Sequence, residues 1–128
     1  MIVLWNSSEM NCKMIFLHGD QEFRYEWQAD RTLARDMHAF LRDKLAEHSQ
    51  ELRDIRGIGA YQGPGSFTGL RIGLVVLNTI ADTLKVPIVG AVGRDWEQSA
   101  RARLENGDND MIILPVYGAE ATVTQPRK

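Results

Sequence analysis

Glycine recurs through one stretch of this chain, Gly63-Pro64-Gly65-Ser66-Phe67-Thr68-Gly69-Leu70-Arg71-Ile72-Gly73, and that stretch limits the available folds more than any other. It joins a short apolar segment, Gly57 to Tyr61, to a long one, Phe67 to Leu84. The first reads as a strand, the second as a helix, and Gln62 to Ser66 as the loop between them. A glycine loop there exposes backbone N–H groups at a helix N-terminus, where an anion is favoured. Gly63, Gly65, Ser66 and Thr68 therefore form a candidate phosphate loop. Ser66 equally suits a plain helix N-cap.

None of the familiar loop signatures fits. A Walker A loop needs a lysine after its second glycine, and no lysine lies between Lys44 and Lys85. The dinucleotide fingerprint is met only loosely, with Pro64 inside it, and the next strand ends Val89-Gly90-Ala91 without an acidic ribose ligand. A nucleophile elbow requires glycine two residues either side of Ser66, where Pro64 and Thr68 stand.

The second helix carries an apolar arc of roughly 220°, about twice what one buried face requires. Only Thr68, Arg71, Asn78, Thr79 and Asp82 mark a polar side, and Val75 sits among them. Such a helix is covered on two sides. Helix one and the sheet cover it within the chain, or a partner helix docks on it. Gly65, Gly69 and Gly73 recur every fourth residue and permit another backbone to approach. The expected partner-binding face comprises Met37, Phe40 and Leu41 of helix one with Gly69, Ile72, Gly73, Val76, Leu77 and Ile80 of helix two. On that expectation Gly73→Leu leaves the monomer folded and abolishes association.

The remaining elements precede and follow this unit. Ile2 to Trp5 is a short buried strand. Lys13 to Leu17 and Gln21 to Trp27 form a hairpin about His18-Gly19-Asp20. Phe23, Tyr25 and Trp27 alternate with Glu22, Arg24 and Glu26, so one face of that strand is aromatic and the other charged. A helix capped by Asp30 or Thr32 runs to about Glu47, with Leu33, Met37, Phe40, Leu41 and Leu45 as its stripe. Pro87 to Ala91 is a further strand and Arg94 to Leu104 a third helix. Glu105 to Asp110 is a polar linker, Met111 to Val116 a last apolar segment, and Thr124 to Lys128 a polar tail. Three strands followed by helix, strand, helix, strand and helix imply an α/β fold with a mixed five-stranded sheet. The length of 128 residues suits one domain.

Charge and composition narrow the function. Fifteen basic and 17 acidic residues leave a net charge of -2, a poor balance for gripping nucleic acid unaided. The single cysteine, Cys12, forms no internal disulfide, which fits a reducing cytosol and a cytoplasmic protein. No signal peptide or membrane span is expected, the longest later apolar run being Ile72 to Leu77. His18, His38 and His48 share no metal-ligand spacing, and no metal site is expected. Cys12 reads as a strand-edge cysteine, and Asp20, Asp30 and Asp54 as solvated caps. Arg94, Arg101 and Arg103 read as a solvated helix face rather than a phosphate contact.

The Gly63–Gly73 motif, followed by Val86-Pro87-Ile88-Val89-Gly90, closely resembles the TsaB (YeaZ) family over about residues 1–105. The resemblance implies a single actin-like, ribonuclease-H-like domain. It also implies a non-catalytic subunit in the synthesis of N6-threonylcarbamoyladenosine in tRNA. Family members pair with a TsaD-like catalytic subunit through their first two helices. A TsaE-like ATPase joins the pair, and homodimers form through the same helices. On this reading tRNA is met only through the complex, the chain needs no cofactor of its own, and ATP or ADP enters at the level of the complex.

Three departures from the family pattern bear on chemistry. The family's first strand ends Asp-Thr-Ser, where this chain has Asn6-Ser7-Ser8. The amide of Asn6 cannot supply a carboxylate to metal and phosphate, which argues against nucleotide hydrolysis and for no catalytic residues. TsaD-like enzymes carry a His-x3-His pair where this chain has Gly93 and Glu97. The usual second actin-like half is expected to be absent, with 106–128 a linker and tail. In that tail Pro115-Val116-Tyr117-Gly118-Ala119 resembles the Pro-x-Tyr-Leu-Arg sequence near the family C-terminus. Two rivals remain: a small actin-like ATPase or phosphotransferase using the 63–69 loop, and a nicotinamide-dependent oxidoreductase resting on the loose glycine pattern alone.

Overall fold

Period-two alternation sorts the strand residues onto two faces, and both faces are covered. The computed structural model describes residues 1–29, 33–65 and 67–116. Its strands are β1 (Ile2–Asn6), β2 (Asn11–His18), β3 (Gln21–Gln28), β4 (Gly57–Gly63) and β5 (Ile88–Val92). Its helices are α1 (Leu33–Glu47), α2 (Phe67–Leu84) and α3 (Trp96–Glu105). The strands form one sheet in the order β3-β2-β1-β4-β5. β1, β2 and β3 pair antiparallel, whereas β4 runs parallel to β1 and β5 parallel to β4. This is the expected meander followed by two crossover units.

Val3, Trp5, Met14, Phe16, Ile58 and Ala60 lie on one face of the sheet, in a core shared with Leu33, Met37, Leu41 and Leu45 of α1 and Leu70, Leu74 and Leu77 of α2. Leu4, Ile15, Val89 and Ala91 lie on the other, against Trp96 and Ala100 of α3. Gly59 lets α3 sit close, since a Cβ there would fall 2.9 Å from the Ala100 Cβ. Each large apolar side chain removed from water contributes roughly 1.5–3 kcal/mol, so the face shared with α1 and α2 dominates stability.

Local chemistry explains the boundaries. Gly19 supplies the positive φ of 64° in the β2–β3 turn. Asp95 stands at the N-cap of α3, so the helix starts at Trp96, two residues inside the start expected from sequence. The caps proposed at Asp30, Thr32 and Ser66 fall outside the described residues. Cys12 is buried rather than at a strand edge, with its thiol directed at the Glu9 carbonyl. After α3 the chain turns back, and residues 109–116 run as a strap along the outer edge of β5 to the end of β4. The polar linker expected after residue 105 is therefore pinned to the domain in its second half.

Candidate functional site

The glycine loop faces the turn that ends β1. Ser7 Oγ donates to the Gly69 carbonyl at 2.9 Å, and a Cβ at Gly69 would lie 2.8 Å from the Ser7 carbonyl oxygen. A Cβ at Gly65 would press on Ser8. Gly63 has a φ of 137°, accessible only to glycine, and a side chain there would collide with the Val116 carbonyl. Tyr61 Oη donates to the Pro64 carbonyl at 2.5 Å, and Gly93 N–H donates to the Gly63 carbonyl at 3.1 Å. The loop is thus built by close backbone approaches, and Thr68 is exposed at its end.

The polar groups converging here are hydroxyls and amides. Asn6 Oδ1 accepts from Ser8 N–H at 2.9 Å, so the residue in the family's aspartate position closes its own turn. Burial, then the charge of Glu9, holds the Tyr61 hydroxyl above its ordinary pKa. Among the described residues, no group of three or more His, Cys, Asp or Glu side chains is placed to share an ion.

The residues expected to meet a partner divide into two sets. Met37, Leu41, Leu77 and Ile80 are buried within the chain. Gly69 and Gly73 are turned toward β1, with Trp5 Nε1 only 2.9 Å from where a Gly73 Cβ would stand. The close approach their spacing announces is made by the chain's own Ser7 and Trp5, not by a partner helix. The broad arc is broad because α2 is covered by α1, by the sheet and, beside Asn78, by the strap residue Ile113. Phe40, Ile72 and Val76 remain partly accessible. Phe40 stacks on Trp27 with centroids 5.1 Å apart.

What α1 and α2 do present outward is an apolar groove of about 300 Å³. Ala34, His38 and Leu52 form one wall, and Val75, Val76 and Thr79 the other. Val75 is 58% exposed. The expected face omitted it, although an apolar residue amid polar ones was the available signal. The arginines of α3 are largely held in ion pairs: Arg101 with Glu22 at 3.2 Å and Arg103 with Asp108 and Asp110. No helix among the described residues is long and apolar enough to cross a membrane.

The family model for TsaD, tRNA N6-adenosine threonylcarbamoyltransferase, matches residues 27–92. No curated protein matches. Among solved structures, YeaZ from Pseudomonas aeruginosa is 26% identical with a TM-score of 0.67, over 83% of this chain and 49% of that one. A second structure, of a protein described as similar to peptidase YeaZ from Pseudomonas aeruginosa, is 26% identical with a TM-score of 0.68 over the same shares. The chain spans about half the length of the solved structures it matches. The α/β fold with its mixed five-stranded sheet is the actin-like one expected from the sequence.

Proposed function

This chain belongs to the TsaD, or tRNA N6-adenosine threonylcarbamoyltransferase, family as a YeaZ-like (TsaB-like) member, and from that membership we propose that it is a non-catalytic subunit. It binds and activates a TsaD-like threonylcarbamoyltransferase that forms N6-threonylcarbamoyladenosine in tRNA. The observation that carries this reading is the apolar groove between α1 and α2, with Val75 exposed on its rim. Apolar surface of this kind on two adjacent helices suits helix-on-helix docking. The engagement of Asn6 in its own turn supports a role without hydrolysis.

On this reading a TsaE-like ATPase joins the pair, ATP or ADP enters at the level of the complex, and tRNA is reached only through it. Alone, the chain forms a homodimer through the same helices. The test is sedimentation of the chain at about 10 µM, alone and with a TsaD-like subunit, a range that suits interfaces of ordinary size. A dimer alone and a heteromeric complex in the mixture are expected, with threonylcarbamoyl transfer by the partner requiring this chain. Failure to associate, or ATP turnover by the chain alone that Thr68→Ala abolishes, would overturn it in favour of a small actin-like ATPase.

A further inference from the structure

The outer edge of β5 is closed by groups that belong to no strand. Ile88 N–H donates to Asn109 Oδ1 at 3.1 Å, and the Ile88 carbonyl accepts from Asp110 N–H at 2.8 Å. Gly90 N–H donates to Asp110 Oδ2 at 2.9 Å, and its carbonyl accepts from Arg103 Nη1 at 3.0 Å. A sixth strand would satisfy these same groups with its backbone, so Asn109 and Asp110 substitute for one, largely with side chains. Arg103 grips both carboxylate oxygens of Asp110, with Nη1 2.8 Å from Oδ2.

Two further clips hold the rest of the strap. Ile113 N–H donates to Asn78 Oδ1 at 2.9 Å, and Asn78 Nδ2 donates back to the Ile113 carbonyl at 2.8 Å. Gln62 Nε2 donates to the Leu114 carbonyl at 2.9 Å, and Val116 N–H donates to the Gln62 carbonyl at 2.7 Å. The Gln62 side chain reaches the strap by lying across Gly90, where any Cβ would block it. The strap then ends with its Val116 carbonyl against Gly63, at the mouth of the glycine loop.

Hydrophobic burial adds little to this attachment. Ile113 is buried, but Met111, Ile112 and Leu114 are 71%, 66% and 68% exposed. The segment is held chiefly by hydrogen bonds, each of which water can replace at small net cost. Segments with few buried apolar contacts open at free energies below that of global unfolding. We propose that residues 109–116 are a latch that opens as one unit while the sheet and the three helices stay folded. Opening bares the β5 edge and frees Gly63 at the same moment. The bared edge exposes the N–H of Ile88 and of Gly90 and the Ile88 carbonyl, while Arg103, which stays with α3, keeps the Gly90 carbonyl.

The test is amide hydrogen exchange on the full chain and on two variants that cut different clips, Asn78→Ala and Asp110→Ala. In both, the amides of Ile88, Gly90, Ile113 and Val116 are expected to exchange together, at least about tenfold faster than in the parent. The β1–β2 ladder amides remain markedly more protected than these, in parent and variants alike. Acceleration confined to Ile113 in the first variant and Gly90 in the second would overturn the proposal, because the clips would then open independently. Latch amides that exchange no faster than those of the β1–β2 ladder, or outright unfolding of either variant, would also overturn it by making the strap part of the global unit.

Discussion

Gly73 of α2 is packed onto Trp5 of β1. A Cβ at residue 73 would stand 2.9 Å from Trp5 Nε1 and overlap the Ser7 hydroxyl. Trp5 is 1% exposed, and its indole N–H has no acceptor among the described residues. The glycine therefore sets how near α2 comes to the first strand. The strand in turn holds the Ser7 hydroxyl against the next turn of the helix at Gly69.

Gly73→Leu is expected to destabilise the monomer itself. Overpacking a closed site costs roughly 1–3 kcal/mol, and the gain of about 0.5–1 kcal/mol in helix propensity only partly offsets it. A melting temperature lowered by several degrees checks this. An unchanged melting temperature with association lost would restore Gly73 to the partner face.

Val75→Glu probes the opposite side of the same helix. The side chain is 58% exposed, so a carboxylate there meets water and stability should change by no more than about 0.5 kcal/mol. Docked against an apolar partner, the same carboxylate would be desolvated without a counter-charge. Self-association or binding to a TsaD-like subunit should weaken at least about tenfold by sedimentation. Unimpaired binding would place the interface away from the groove.

Much of this fold is legible in the sequence because its elements repeat regularly. Leu33, Met37, Leu41 and Leu45 announce the buried stripe of α1 by spacing alone. Phe23, Tyr25 and Trp27 likewise announce the inward face of β3. The glycines of α2 announce a close approach but not what approaches, because periodicity defines a face and not the body packed on it. Spacing alone places both Leu77 and Ile80 on a partner face; packing within the chain buries Leu77 completely, whereas Ile80, 6% exposed, lines the groove between α1 and α2. The strap was illegible for a different reason. Asn78, Asn109 and Asp110 read as solvated polar residues, and only the folded chain brings their side chains to backbone groups 20 or more residues away.

Cys12 should resist thiol reagents in the native protein. Burial pushes its pKa from the ordinary 9.0 to about 11. At pH 8 the thiolate fraction falls about a hundredfold from ionisation alone, and burial slows attack further. The raised value also signs a pH dependence, since the folded state holds this proton more tightly than the unfolded state. The contribution is whole below pH 9 and declines as the pH rises toward 11. Burial raises the pKa of Tyr25 and of Tyr61 as well, and so acts in the same sense at alkaline pH. Reaction with a disulfide reagent before and after denaturation checks the first point. Labelling at equal rates in the two states would contradict it.

Asp110 works at the acid end. The hydrogen bond from Arg103 holds its carboxyl below the ordinary 3.8, against the opposing effect of partial burial, and the Gly90 amide assists. A depressed pKa means that the folded state favours the ionised form. The resulting stability is present above pH 3.8 and is lost as the pH falls through the folded value. Asp110→Asn removes the charge but retains an acceptor for Gly90 N–H. Because the pair is partly exposed, the variant should be less stable at pH 7 by no more than about 1 kcal/mol. That difference should shrink as the pH is lowered below 3.8, because the parent then loses its ionised carboxylate too. Urea midpoints of parent and variant at pH 7 and at the acid end provide the comparison. A difference of the same size at both would assign the effect to the shape of the side chain and not to its charge.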